Sequence, residues 1–196
     1  MLVKDFITKT RDDLQEKSEQ WSEPSLLLKL QESYIDLQFD LPYFIANETI
    51  AIKKGISSYH IQKHFLKDIL FKVSNLPYNY TDMENLFTKN NSTNLYSYQA
   101  GEIITNVEYS KDTTAQLIYK YQKDIKNENC FIEIPTNWHK CLRFLFMSKI
   151  HEKPTRNTKE RDLSKHYLNL YNIEVIKLKS QQKARAKNIQ TKYQII

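Results

Sequence analysis

Apolar residues recur at Leu26, Leu27, Leu30, Tyr34 and Leu37, a spacing that keeps them on one side of a 3.6-residue helix. The residues just before them mark where that helix begins. Ser22 stands at the N-cap, with Glu23 and Pro24 in the first turn, where a carboxylate faces orphan amides and a missing N–H costs nothing. Upstream, Leu2, Val3, Phe6, Ile7 and Leu14 set against Asp12, Asp13, Glu16 and Lys17 predict a second amphipathic helix from Leu2 to about Lys17. A turn at Glu19-Gln20 would fold the two back on each other.

After Leu37 the period changes from helical to extended. Thr49 to Ile52, the turn-like Lys53-Lys54-Gly55 and Ile56 to Ile61 read as a strand pair, and Leu66 to Val73 as a further extended run. Thr81 is placed to cap one or two helical turns through Phe87, and Lys89 to Thr93 is a polar loop. Leu95 to Tyr98 and Ala115 to Tyr121 are strand candidates with Gly101 at a turn between them, and Phe131 to Ile134 is the last. The middle of the chain is thus expected to be a small antiparallel β unit of five to six strands.

Pro135 ends the extended region and Thr136 or Asn137 opens a helix, along which Trp138, Cys141, Leu142, Leu145, Phe146 and Ile150 follow the helical period. Pro154 breaks it. From Thr155 to about Ala186 neither Gly nor Pro occurs, and a long helix is predicted with Leu163, Tyr167, Leu170 and Ile173 on one face and Asn157 or Thr158 near its cap.

A short amphipathic helix, the cap Trp21-Ser22-Glu23 and a Leu-rich helix together resemble the head-tail adaptor (connector) proteins of tailed bacteriophages. The resemblance implies an α+β fold: a predominantly helical body of two N-terminal and two C-terminal helices with a central antiparallel β insert. On that plan residues 1–174 form one adaptor-like domain, the insert spans about 44–134, and residues 175–196 are a basic C-terminal tail. It implies a virion structural protein of the neck, assembled in the host cytoplasm. There it would form a ring of about twelve copies below the portal, extending the channel through which DNA passes. The implied partners are other copies of the chain, the portal protein and tail or stopper proteins. Trp21, Leu26, Leu27, Leu30, Trp138, Leu142 and Leu145 would be core.

Composition narrows the chemistry. With 196 residues, 40% of them hydrophobic, the chain can bury a sizeable core, and no run approaches the roughly 18 to 20 apolar residues of a membrane span. The start lacks the charged-then-apolar order of a signal peptide. Only two glycines occur, Gly55 and Gly101, so neither a phosphate-cradling loop nor a nucleophile elbow is available. Cys130 and Cys141 are too few and too irregular for a disulfide framework or a zinc site, and read as buried small hydrophobes. The richness in Lys, Asn, Ile and Tyr matches an AT-rich coding sequence.

His60 and His64 are four apart, a metal-ligand spacing only on a helix, and they fall in a segment read as strand. His139, His151 and His166 are scattered and read as surface or interface residues. The pairs Asp12-Asp13, Asp82 with Glu84, and Glu160 with Asp162 sit at capping or solvated helix positions, without the setting that divides two carboxylates into acid and base. Tyr78, Tyr80, Tyr96, Tyr98, Tyr119 and Tyr121 suit cross-strand packing or an interface. No enzyme activity, cofactor or metal is therefore expected.

Charge is concentrated at one end. Lys177, Lys179, Lys183, Arg185, Lys187 and Lys192 lie in a segment from Val175 onward without Asp or Glu, against a formal net charge of +6 for the whole chain. The first five of these are the candidate functional residues. They would dock on the portal in the adaptor reading, or contact phosphate if the chain is a small nucleic-acid-binding protein using its basic C-terminal helix.

Overall fold

The computed structural model describes residues 1–14, 21–88, 94–152 and 158–193, without the side chains of residues 14, 158 and 185–193. The expected turn at Glu19-Gln20, the loop from Lys89 to Thr93 and the break at Pro154 lie outside the described residues. The chain divides into two compact units, Met1–Leu41 with Asp124–Ile196, and Pro42–Lys123.

The first unit is helical. Helix α1 (Val3–Leu14) buries Val3, Phe6 and Ile7, and Phe6 meets Phe146 with ring centroids 5.9 Å apart. Helix α2 (Glu23–Asp40) starts at Ser22, whose carbonyl accepts the first helical bond from Leu26 N–H while its hydroxyl makes no cap. Leu26, Leu30, Tyr34 and Leu37 are buried on α2; Trp21 and Leu27, expected in the core, are half-buried. A 3₁₀ turn (Thr136–Trp138) leads into α4 (His139–His151), and α5 (Thr158–Tyr193) ends the unit.

Two local expectations change here. Phe131 to Ile134 is no strand of the β unit: Ile132 and Ile134 are buried in the helical unit, and Phe131 bridges only Leu2. The orphan amides at the start of α1 explain this, since Val3 and Lys4 donate to the carbonyls of Cys130 and Glu128, and Ile132 donates back to Met1. On α5 the buried seam is Tyr171, Val175 and Leu178, rotated from the predicted stripe, so that Leu163 and Ile173 are exposed.

The second unit is a seven-stranded sheet. Its strands are β1 (Ile45–Ile52), β2 (Ser58–His60), β3 (Phe65–Val73), β4 (Leu76–Tyr80), β5 (Leu95–Gln99), β6 (Glu102–Thr105) and β7 (Thr113–Tyr121), with the short helix α3 (Met83–Leu86) between β4 and β5. The order is β1-β7-β3-β4-β5-β6-β2, antiparallel except for the parallel β4–β5 pair. Ala46, Ile50, Phe71, Val73, Tyr96, Ile103, Leu117 and Tyr119 belong to the core it encloses.

The fold class expected from the sequence is therefore overturned. In place of a predominantly helical body with a small antiparallel insert, the chain has a mixed seven-stranded sheet curled into a nearly closed barrel alongside five helices. The physical reason lies in the strands that pattern alone underestimated. Glu102 to Thr105 is too short to show a period, and β3 is interrupted by two register shifts that scramble its alternation. The expected strand pair also dissolves: β1 and β2 are opposite edges of the sheet, β1 paired over eight residues with β7 and β2 with β6. Gly55 still makes its turn at φ +72°, but its N–H donates to Tyr109.

Candidate functional site

All five basic residues singled out from the sequence fall on α5, a helix of 36 residues and so about 54 Å long. Its first half is anchored. Ser148 and Ser164 exchange hydroxyl-to-carbonyl bonds at 3.0 Å, and His151 is buried within the unit with its ring stacked on Tyr167 at 5.8 Å, which corrects its reading as a surface or interface histidine. Tyr171 donates to Asp40 at 2.6 Å, and burial together with that carboxylate raises its phenol pKa.

The buried seam ends at Leu178. Lys179 through Ala184 are exposed without interruption, and the helix continues to Tyr193. A helix segment of this length gains little stability on its own in water, because most helical stability in proteins comes from packing an apolar face. The lysines and arginine complement the carbonyl end of the helix dipole and add no acid to pair with.

The five candidates are not one patch. Lys177 pairs with Glu174 at 3.1 Å, which also receives Lys140 at 2.9 Å, and Lys179 reaches Asp40 at 3.5 Å. These two lysines are therefore committed to their own unit. Lys183 is exposed, and the side chains of Arg185 and Lys187 lie outside the described residues. The sequence reading placed Ile173 on a packed face and did not single out Ile176. Ile173 and Ile176 are 49% and 64% exposed, and with Ser180 and Lys183 they recur at helical spacing along one solvent-facing stripe of α5. The signal was present in the sequence as isoleucines one or two residues off the buried seam.

The remaining candidate chemistry disperses. His60 ends β2 and His64 precedes β3, and among the described residues no three His, Cys, Asp or Glu side chains gather as metal ligands. Cys141 is buried and its thiol is pushed up to about 11 by that burial, whereas Cys130 is only half-buried. Tyr96 and Tyr119 are fully buried in the barrel, and Tyr119 donates to Glu48. Among the described residues no helix is long and apolar enough to cross a membrane. No family model matches the chain, and no curated protein is significantly similar to it.

Proposed function

We propose that this chain is a structural protein of the tailed-phage neck: a head-tail adaptor that forms a ring below the portal and extends the DNA channel. The observation that supports the reading is the exposed half of α5, where Ile173 and Ile176 lead into a basic, acid-free helix whose residues Lys179 to Ala184 are all exposed. An amphipathic stripe of this kind is suited to lie in a groove of a partner, anchored by residues at i, i+3 and i+7. Copies of the chain associate head to tail, a geometry that closes into a ring when the rotation allows. The portal is the partner of α5, and tail or stopper proteins follow on the other side of the ring.

A second reading, a small nucleic-acid-binding protein, draws on the same segment, because six cations without an acid from Val175 onward suit phosphate contacts. Salt separates the two. Size-exclusion chromatography with light scattering, on the chain alone and mixed with a portal protein encoded beside it, is expected to give a joint complex that persists as salt is raised. Failure to join, together with retention of DNA that falls steeply with salt, would replace the adaptor reading by the second.

A further inference from the structure

Strands β1 and β2 follow each other in the chain, yet they do not pair and form the two edges of the sheet. Both edges border one groove of about 570 Å³, lined by Asn47, Thr49 and Ala51 of β1, by Ser58 and His60 of β2, and by Gln62 just beyond. The barrel is therefore open along a seam with strand backbone on either side.

The ladders fix which backbone groups point into that seam. In an antiparallel pair, residues that exchange both backbone bonds alternate with residues whose N–H and C=O point away from the partner strand. Tyr121 N–H donates to the Phe44 carbonyl at 3.0 Å, in line with the β1–β7 register, so Ala46, Glu48, Ile50 and Ile52 bond to β7. Asn47, Thr49 and Ala51 consequently turn their N–H and C=O groups toward the groove. On β2, Thr105 donates to Ser57 at 2.8 Å and Ile61 to Gly101 at 3.0 Å, so Tyr59 bonds to β6 while Ser58 and His60 face the other way. Among the described hydrogen bonds none engages these five outward N–H groups.

Gln62 continues the β2 alternation, and its N–H crosses the seam to Glu48 Oε2 at 3.3 Å. At that position a side-chain oxygen takes the place a strand carbonyl would occupy. Free edges are commonly shielded by Lys, Pro, a bulge or short length. None of these protects β1, whose eight residues run in unbroken register with Glu48 as their only charge, already engaged by Tyr119 and Gln62. What the edge lacks is thus neutral: carbonyl acceptors and amide donors at the roughly 7 Å repeat of every second strand residue.

We infer that the seam receives an extended segment of a partner protein as an added strand, by β-augmentation. The segment's backbone supplies the missing donors and acceptors on both sides. Its alternate side chains lie over Ile50 and Tyr59, buried residues that line the groove, which selects small or apolar residues at those positions. A second copy of the chain does not fit as the donor. Among the described residues every strand already belongs to the sheet, and a copy's β1 or β2 would bring its own neighbouring strand against the facing edge. The seam lies within the barrel unit, so this assignment does not rest on the role of α5.

The test selects a random peptide library, with peptides of about ten residues to match strand length, on the immobilised full chain. The tightest peptide is then synthesised with and without N-methylation at its central residues. A Kd below about 100 μM is expected, weakened at least tenfold by N-methylation. Amide exchange at Thr49, Ala51 and Ser58 should slow on binding, while Ile50, already in the ladder, stays as protected as before. Thr49→Pro removes an N–H that β7 does not use and should weaken binding at least tenfold, whereas Thr49→Ala should bind as the parent does. If the proline variant does not fold, the N-methylation and exchange comparisons on the parent chain still decide. Failure to select a peptide that protects the seam amides, or affinity indifferent to N-methylation, overturns the assignment. A chain that is dimeric on its own by light scattering, with those amides already protected, overturns it in favour of a second copy.

Discussion

Ser148 and Ser164 each donate a hydroxyl hydrogen to the other's backbone carbonyl, both at 3.0 Å, which fastens α4 to the early part of α5. Small side chains at this crossing let the two helices approach closely, since interaxial distance follows the side chains at the contact. Ser148→Ala removes one bond of the pair and should cost about 1 kcal/mol. Ser164→Leu forces the helices apart and should cost more, about 2 to 3 kcal/mol. Both tryptophans, Trp21 and Trp138, belong to the helical unit, so urea unfolding followed by tryptophan fluorescence reads this unit directly. A Leu variant as stable as the Ala variant would show that the crossing is not close-packed.

At the edge of the barrel, Tyr119 and Glu48 form a node of another kind. The Tyr119 hydroxyl donates to one oxygen of Glu48 and accepts from Lys63 N–H at 3.2 Å, while the other Glu48 oxygen accepts from Gln62 N–H at 3.3 Å. The segment after β2 is thereby tied to β1, which is not its ladder partner. Tyr119→Phe leaves the Lys63 amide and one carboxylate oxygen without this partner, and should cost about 1 to 2 kcal/mol. Amide hydrogen exchange at Gln62 and Lys63 should accelerate while the core of β7 stays protected. Unchanged exchange at both amides would refute the tie.

Acid stability should depend on Glu174. Hydrogen bonds from Lys140 and Lys177 hold its carboxyl below its ordinary value of 4.5. Between the folded and unfolded values the unfolded chain binds more protons, so stability rises with pH through that window. The contribution is complete above the unfolded value and is lost as pH falls through the folded one. Glu174→Gln should therefore flatten the acid limb of a stability-against-pH curve recorded by tryptophan fluorescence, and leave the region from pH 7 upward nearly unchanged in shape. An acid limb of equal slope in both proteins would locate the sensitivity elsewhere.

The helices were legible in the sequence because their apolar stripes are long. Trp138, Cys141, Leu142, Leu145, Phe146 and Ile150 are all buried, as their spacing indicated. On α5 the same method chose the wrong stripe. Apolar residues occur nearly all round that helix, so periodicity alone does not separate Tyr171, Val175 and Leu178, which are buried, from Leu163 and Ile173, which are not. The barrel was underread for a different reason: short strands carry little period, and the pairing of β1 with β7 joins residues some seventy positions apart, as in Ile45 with Lys120. Turn chemistry was only partly visible. Gly101 with Ala100 at positive φ closes β5–β6, but Ser74 and Asn75, also at positive φ, close β3–β4 without a glycine to announce it.

The docking role proposed for α5 makes a demand that separates it from a merely solvated tail. Ile176 is 64% exposed, so Ile176→Asp should change stability by no more than about 0.5 kcal/mol, the usual range for surface substitutions. On a docked helix the same change buries an unpaired carboxylate against an apolar groove and should weaken association with the portal at least tenfold. Lys183→Glu, a few residues along the same stripe, reverses a charge at the rim and should mainly slow association and raise its salt dependence. Both variants are compared with the parent chain by surface-bound portal kinetics at two salt concentrations, with thermal unfolding as the control for fold. Loss of binding in Ile176→Asp with an unchanged melting temperature places the partner on this stripe. Undiminished binding in both variants removes α5 from the interface and with it the observation on which the adaptor reading rests.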